Sequence, residues 1–391
     1  MTTTINNEHK KLNVPTLRFP EFQGEWEKHE LGDICETITD FVAAGSFASL
    51  RENVKYYQED NYAQLVRTVD LKKDFTNNDF VYVDELAYDF LWRVQLKEPN
   101  IILPNIGANI GEKYYVSPED LPKEKNVLGP NAILLRSKCN DTHFVYFRLS
   151  TSSYDNEMKK LVGASGQPKF NKTDLKKVRL FMPSLKEQKK ISHFLGLLEE
   201  RIATQNKIID KLQSLIKGIG KQLFMDNQNW RTVKIGELLR IGNGKDYKHL
   251  CIGKIPVYGT GGQMLLVNDY LYDGESVCIG RKGTIDTPMF LKGKFWTVDT
   301  LFYTYDFKDV LPKFCYYLFL QINWKLYNEG TGVPSLSKST IENIKVKIPS
   351  LEQQQKICSI LDCYEHKTNN EEQILELYHS EKQYLLRQTF I

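Results

Sequence analysis

Two stretches far apart in the chain are nearly the same. QPKFNKTDLKKVRLFMPSLKEQKKI runs from Gln167 to Ile191, and VPSLSKSTIENIKVKIPSLEQQQKI from Val333 to Ile357. Pro334 minus Pro168 and Pro349 minus Pro183 both give 166, so the register does not slip. The same offset pairs Leu195 with Leu361, Glu199 with Glu365, Ile208 with Ile374, Gln222 with Gln388 and Phe224 with Phe390. Upstream the match needs gaps. Trp26 before HELGDI corresponds to Trp230 before VKIGEL, QLVRTVD (Gln64 to Asp70) to IPVYGTG (Ile255 to Gly261), ILPNIGANIG (Ile102 to Gly111) to CIGRKGTID (Cys278 to Asp286), and FVYFRL (Phe144 to Leu149) to FCYYLF (Phe314 to Phe319). Solenoid repeats run to about 20 to 50 residues, so a period this long means duplicated domains. The chain folds as two tandem copies or not at all.

Each copy divides by periodicity. Its first part holds short β-branched and aromatic runs broken by Gly, Pro and Asn, such as ESVCIG, KFWTVDTLFYTY and NIKVKIP, which predicts mixed α/β (α+β) globular segments. A long helical pattern then begins at PSLKE (Pro183 to Glu187) and at PSLEQ (Pro349 to Gln353), where Ser184 with Glu187 and Ser350 with Gln353 have the capping-box spacing. After the first cap, Ile191, Leu195, Leu198, Ile202, Ile209, Leu212, Ile216, Ile219 and Leu223 alternate in fours and threes, with Gln205 the polar member of the series. That is a coiled-coil seam. In the second copy Ile357, Leu361, Tyr364, Leu375, Tyr378 and Leu385 keep the pattern, and Thr368, Glu371, Lys382 and Thr389 interrupt it. Glu187 to Phe224 would extend roughly 57 Å at 1.5 Å per residue, longer than one domain could cover. The expectation is two helices packed on each other, with the globular segments held apart.

Composition narrows the function. The 391 residues, 41% hydrophobic and 26% charged, suit two or three packed domains. No run of about 18 apolar residues occurs, and MTTTINNEHKK lacks the apolar centre of a signal peptide, which predicts a cytoplasmic protein with no membrane partner. The seven cysteines have no CxxC pair or histidine cluster of zinc-site spacing and read as reduced, mostly buried thiols. A formal charge of +3 is too small to mark a nucleic-acid binder by itself, so any DNA site must be locally basic. Catalytic signatures are missing as well. GNGK (Gly242 to Lys245) does not complete a phosphate loop, Gly259, Gly261 and Gly262 do not form the dinucleotide fingerprint, and there is no GxSxG, HExxH or recognisable carboxylate pair. The Asn-Pro-Pro-aromatic tetrapeptide of amino-methylating DNA methyltransferases is also absent.

From TLRFPEF (Thr16 to Phe22) onward the chain resembles the specificity subunit of type I restriction-modification systems. The likeness is carried by the doubled Gly-x-Pro (Gly166 to Pro168, Gly332 to Pro334), the doubled Pro-Ser-Leu-x-x-Gln (Pro183 to Gln188, Pro349 to Gln354), and YGTGG followed by IGRKGT and FWTVDT. The resemblance implies two target recognition domains and two spacer helices in an antiparallel coiled coil with pseudo-two-fold repeat. These would divide the chain into an N-terminal tail (1–24), recognition domain 1 (25–184), a central helix (185–225), recognition domain 2 (226–349) and a C-terminal helix (350–391). It also implies double-stranded DNA, two modification subunits and ATP-driven restriction subunits as partners. No cofactor is expected in this chain; S-adenosylmethionine, ATP and Mg2+ would sit in the partner subunits.

The DNA-facing residues follow from chemistry alone. Arg281 and Lys282, in a Gly-flanked turn, suit phosphate or guanine O6 and N7, and Asn105 and Asn109 in the matching stretch, near Lys113, suit adenine. Lys245, Tyr247, Lys248, Tyr258 and Thr260 form a second polar and aromatic group, with Arg67 aligned opposite Tyr258. Two other readings stay open here: a tandem DNA-binding scaffold without methyltransferases, and a coiled-coil adaptor that binds no nucleic acid.

Overall fold

A computed structural model describes residues 13–107, 110–161, 169–225 and 229–391. Asn109 and the first Gly-x-Pro (Gly166 to Pro168) lie outside the described residues. The chain forms two compact units, Met1–Ala203 with Glu376–Ile391, and Thr204–Leu375. The division runs through both long helices, so each unit contains one globular segment and a share of each helix.

In the first unit the elements are β1 (Glu27–Glu30), α1 (Leu31–Ile34), β2 (Thr37–Asp40), α2 (Phe47–Asn53), β3 (Ala63–Val66), α3 (Thr68–Lys72), β4 (Tyr82–Val83), α4 (Glu85–Phe90), β5 (Asn100–Pro104), β6 (Tyr114–Val116), β7 (Asn126–Leu128), β8 (Ala132–Arg136), α5 (Thr142–Leu149), α6 (Ser152–Leu161), α7 (Lys172–Lys176), β9 (Arg179–Met182) and the start of α8 (Leu185–Met225). The strands make sheets of order β2-β8-β5-β6 and β4-β3-β7, and a ribbon β1-β9. In the second unit come β10 (Arg231–Lys234), α9 (Ile235–Leu238), β11 (Arg240–Asn243), β12 (Ile252–Gly259), β13 (Gly262–Val267), β14 (Tyr272–Gly280), β15 (Met289–Thr297), β16 (Leu301–Tyr305), α10 (Pro312–Gln321), α11 (Lys338–Asn343), β17 (Lys345–Ile348) and α12 (Leu351–Thr389). Its strands form one sheet, β11-β16-β14-β15-β12-β13, and a ribbon β10-β17.

The two units share register as well as order. Ile102 faces Tyr114 as Cys278 faces Met289, and Leu103 faces Ile133 as Ile279 faces Phe302. Strand β15 pairs antiparallel with β14 and then parallel with β12. In the first unit these tasks fall to two strands: β6 pairs with β5, and β7 pairs parallel with β3. The segment Ser117 to Lys125 between β6 and β7 is therefore an insertion that splits one sheet into two.

The repeated Pro-Ser-Leu-x-x-Gln is a joint. Gln188 and Gln354 are buried in the first turns of α8 and α12. Gln188 Oε1 accepts from the Asp141 N–H at 3.0 Å while its Nε2 donates to Asn140 Oδ1 and the Pro183 carbonyl. Gln354 Oε1 accepts from the Leu311 N–H at 2.8 Å while Nε2 donates to the Asp309 and Pro349 carbonyls. Each glutamine thus ties a spacer helix to the N-terminus of the domain helix, α5 or α10. Beside each joint three rings pack: Trp26, Phe144 and Phe390 in the first unit, Trp230, Phe314 and Phe224 in the second, with the two phenylalanines 5.3 Å apart in both. Gln354→Leu keeps most of the volume but strands one donor and two acceptors in a fully buried place, so a loss of about 3 kcal/mol is expected. Urea unfolding followed by tryptophan fluorescence measures it; a loss below about 1 kcal/mol would show that the joint bears no load.

The capping boxes form only by half. Ser184 and Ser350 accept from the N–H groups of Glu187 and Gln353 at 3.4 Å. The Glu187 carboxylate does not return to the cap; it is buried, with both oxygens 2.8 Å from the Arg18 guanidinium and one 3.3 Å from Trp26 Nε1.

Within each unit α8 and α12 run antiparallel. In the first, Ile191, Leu195 and Leu198 are buried with Leu385, Leu386 and Phe390, and Ile202 and Tyr378 pack at the margin. In the second, Ile209 and Leu212 are buried, Ile219, Leu223 and Phe224 pack with Ile357, Cys358 and Leu361, and Ile216, Tyr364 and Leu375 are half-buried. Gln205 and three of the four polar interruptions find partners. Gln205 Nε2 donates to Glu371 Oε2 at 2.6 Å and to the Glu371 carbonyl at 3.0 Å, Thr368 Oγ1 donates to the Tyr364 carbonyl, and Lys382 pairs with Glu199. Burial alone would raise the Glu199 pKa, but the His143 hydrogen bond and the Lys382 charge hold it below the usual carboxylate range. In the second unit Lys313, at the place of His143, pairs with Glu365, 2.6 Å apart. All seven cysteines are free; Cys35, Cys278, Cys315 and Cys358 are buried, and Cys139, Cys251 and Cys363 are exposed.

Candidate nucleic-acid interface

In the second unit the segment Thr297 to Thr300, the TVDT of FWTVDT, is the hub of one loop face. Lys245 N–H donates to the Thr297 carbonyl at 2.9 Å, Val298 N–H to Tyr258 at 3.0 Å, and Arg281 N–H to Thr300 at 2.8 Å. Arg281 Nη1 reaches the Asp299 carbonyl at 3.4 Å. Gly283, at φ +95°, lies beside the Thr260 hydroxyl. The structure therefore brings Lys245, Tyr258, Thr260, Arg281 and Lys282 to one end of the sheet. Lys245, Lys248, Arg281 and Lys282 are exposed. Tyr247 packs at the edge of a cluster of Val257, Val267, Trp296 and Val298, while Tyr258 packs among Cys278, Leu291, Phe295 and Leu301. The glycines of GNGK serve packing: a Cβ at Gly242 would meet the Tyr303 ring at 2.2 Å, and one at Gly244 the Val298 carbonyl at 1.9 Å.

The same face accepts the Gly-x-Pro loop, which the sequence marked as a repeat without assigning it a place. Lys282 bridges to Ser335, Gly283 N–H donates to the Pro334 carbonyl at 2.9 Å, and Leu336 N–H donates to Arg281 at 2.9 Å. The first unit repeats these bonds. Ile106 bridges to Lys169, Phe170 N–H donates to Asn105, and Asn105 N–H donates to Asn131. Gly107 has φ +90°, matching Gly283. Asn105 thus stands where Arg281 stands, and Ile106 where Lys282 stands. Lys169, exposed in this bridge, escaped the sequence reading; its place directly after the repeated Pro168 was the available signal.

One sequence alignment changes in the first unit. Gly129 N–H donates to Val66 as Val298 N–H donates to Tyr258, so Val66 occupies the place of Tyr258, and the alignment of Arg67 with Tyr258 is off by one residue. Gaps of unequal length before the motif hid the slip. The Arg67 side chain is also engaged: Nε and Nη2 donate to the buried Asp70 carboxylate at 3.0 and 2.7 Å, and Nη2 also to the Asp79 carbonyl at 2.7 Å. Lys113 is likewise bound, 2.7 Å from Asp155 and 3.0 Å from the Gly111 carbonyl. Asn105 Oδ1 is buried and has no hydrogen-bond partner among the described residues.

A family model, the type I restriction modification DNA specificity domain, matches residues 23–214 and again 227–377. The chain belongs to this family. Each match contains one of the two loop faces, so the chain is a type I specificity subunit with two DNA-recognition domains. Among its relatives, the putative type I restriction enzyme MjaX specificity subunit of Methanocaldococcus jannaschii is 25% identical over 94% of both chains. The MjaVIII specificity subunit of the same organism is 23% identical over 92% of this chain and 90% of its own. The S subunit of a type I restriction-modification system from M. genitalium shares the fold, with a TM-score of 0.63 at 16% identity over 97% of this chain and 99% of that one. So does a chain solved in work on complex assembly and conformational transition of the type I system, with a TM-score of 0.55 at 13% identity over 95% and 98%. Among the described residues of this specificity subunit, no helix is long and apolar enough to cross a membrane, and no group of three or more His, Cys, Asp or Glu could hold a metal ion.

Proposed function

We propose that the two loop faces read the two halves of a bipartite, asymmetric target in double-stranded DNA. The observation that carries this is one hydrogen-bonded framework dressed with different side chains. Asn105 and Ile106 replace Arg281 and Lys282 on equivalent backbone, and β3 leads into the helix α3 where β12 turns through Thr260 and Gly261 into β13. Equal frameworks favour equal docking on the duplex, while unequal side chains favour unequal bases. A spacer between the half-sites goes unread.

Catalysis then belongs to the partners. Two modification subunits that methylate adenine with S-adenosylmethionine, and restriction subunits that use ATP and Mg2+, would assemble on this chain. The outer faces of α8 and α12 offer exposed apolar residues for docking, including Leu197, Leu215, Leu377 and Tyr384.

Arg281→Ala tests the reading. Loss of a guanidinium that contacts a base edge is expected to cost about 1–3 kcal/mol and to relax one position of one half-site. Sequencing of methylated adenines in cells expressing the variant with its modification partner reads this directly. An unchanged motif and affinity would remove Arg281 from the interface, and relaxation in both half-sites would remove the assignment of one face to each half.

A further inference from the structure

In the first unit the residues Leu17 to Pro20 lie in a groove formed by α8 and α12, against Ile191, Phe194 and Thr389. The Leu17 N–H donates to the Gln388 carbonyl at 2.9 Å, one of the last four carbonyls of α12 and so without a partner in its own helix. Arg18 Nε and Nη2 are each 2.8 Å from the Glu187 carboxylate. Phe19 meets Phe194 edge to face with ring centroids 6.0 Å apart, and Lys190 Nζ stands 4.7 Å over the Phe19 ring while pairing with Glu21. The Phe22 N–H donates to the Phe19 carbonyl, so the segment closes in a turn at Pro20. Beneath this cover Glu187 and Trp26 are each 2% exposed.

The second unit repeats the groove. The constant offset of 166 puts Gln353 at the place of Glu187, Lys356 at that of Lys190, Ile357 at that of Ile191, Ile360 at that of Phe194, and Gln222 and Leu223 at those of Gln388 and Thr389. These residues and Trp230, the counterpart of Trp26, line a cavity of about 510 Å3, against about 190 Å3 beside Leu17 to Pro20 in the first unit. Gln353 and Ile360 are exposed, and Trp230 is half-buried. The chain cannot cover this groove as it covers the first. Leu17 precedes Trp26 by nine residues, whereas the residue nine before Trp230 is Lys221, inside α8, and Gln222 and Leu223 after it are the groove's own wall. The repeat has thus duplicated the groove and not the segment that covers it.

We propose that the groove of the second unit binds a short non-helical segment of a partner protein, with the order aliphatic, neutral polar, aromatic, proline. The first unit supplies the pattern. Leu223, Trp230, Ile357 and Ile360 offer apolar walls to the aliphatic and aromatic side chains. The Gln222 carbonyl, among the last four of α8, accepts a main-chain N–H as Gln388 does. Lys356 pairs with Glu352 at 2.7 Å, but that pair is exposed and weak, which leaves the ammonium able to stand over a ring as Lys190 does. The second position differs between the units. Gln353 presents an amide in place of the Glu187 carboxylate, so an arginine there would lose its counter-ion, whereas an amide finds a partner. The same difference argues against a second copy of this chain, whose Leu17 to Pro20 carries Arg18 and is already held in its own unit. The lining includes none of the outer-face residues Leu197, Leu215, Leu377 and Tyr384, so this site stands apart from the docking of modification subunits.

Fluorescence anisotropy of two labelled peptides titrated with the full chain, at fixed ionic strength, tests it. The probes are TLRFPEF, the segment Thr16 to Phe22, and TLQFPEF, the same segment with Arg18→Gln. One saturable site is expected for TLQFPEF, with TLRFPEF weaker by about tenfold, or 1.4 kcal/mol. Gln353→Glu should reverse that order by restoring the carboxylate of the first unit. Ile360→Asp should weaken TLQFPEF at least about tenfold; Ile360 is 42% exposed, so the fold tolerates the change. Absence of saturable binding by TLQFPEF overturns the proposal, as does unchanged affinity in the Ile360→Asp chain or an unchanged order in the Gln353→Glu chain. TLRFPEF binding the wild type as tightly as TLQFPEF would give the groove to a second copy of this chain and overturn its assignment to a partner.

Discussion

Replacing Leu198 and Ile202 together with Asp is expected to unfold the first unit at neutral pH. Leu198 is buried and Ile202 packs on the same core, which α8 and α12 share with Trp26 and Phe144. Losing two branched side chains forfeits about 1.5–3 kcal/mol each when burial is full. Two carboxylates placed there without cations must either remain charged in an apolar seam or take up protons, and either adds to the cost. The sum, on the order of 5 kcal/mol, reaches the lower end of the whole stability of a typical domain. Leu197→Asp is the control: Leu197 is 46% exposed on the neighbouring position of the same helix, so it should cost less than about 1 kcal/mol. Circular dichroism melts compare the variants, and equal losses for Leu197→Asp and the seam variant would show that the seam lies on another face of α8.

That seam was legible because a helix buries positions three and four apart, and the sequence alternates at that spacing from Ile191 to Leu223. The polar layer was legible for the same reason: Gln205 and Glu371 fell at equal places in the pattern and meet in the structure. The doubling of the fold was legible from the constant offset, which insertion-free helices preserve. Other features depend on partners that no local pattern specifies. The side chain expected to close a reciprocal cap, Glu187, is taken by Arg18, 169 residues away. The glutamine of the joint repeats visibly, but its function requires the N–H groups of Asp141 and Leu311, on helices reached only through the tertiary fold.

The loop faces show the limit more sharply. Basic residue type picked out Arg67, Lys113, Arg281 and Lys282 alike. Tertiary structure divides them: Asp70 and Asp155 engage the first two, and the last two remain exposed at the sheet end. A cation in a sequence carries no mark of the carboxylate that will meet it. The slip at Val66 and Arg67, hidden by unequal gaps, matters because β-structure has a period of two, so a single-residue shift changes which side chain faces outward. The backbone bonds to Gly129 and Val298, not residue similarity, set the correct equivalence.

Exchange of the segment Trp230 to Ile348 for the corresponding segment of another specificity subunit is expected to replace one half-site and leave the other untouched. The graft points suit this because β10 and β17 pair antiparallel, Arg231 opposite Ile348, so the segment leaves and returns at neighbouring positions. The retained helices contribute Phe224 and Gln354 to the joint, and the incoming segment must supply a Trp at 230, a Phe at 314 and a free N–H at 311. A donor with those three features meets the same packing and the same buried acceptor, so assembly should survive. Each mismatched base pair costs about 1–3 kcal/mol, and a half-site of several bases is therefore exchanged completely rather than blurred. Sequencing of methylated adenines in cells that express the chimera with the modification partner decides the outcome. Two altered half-sites would mean that the recognition domains read DNA jointly, and an unaltered motif would place base reading outside the exchanged segment, either of which defeats the model of two independent readers built on one repeated frame.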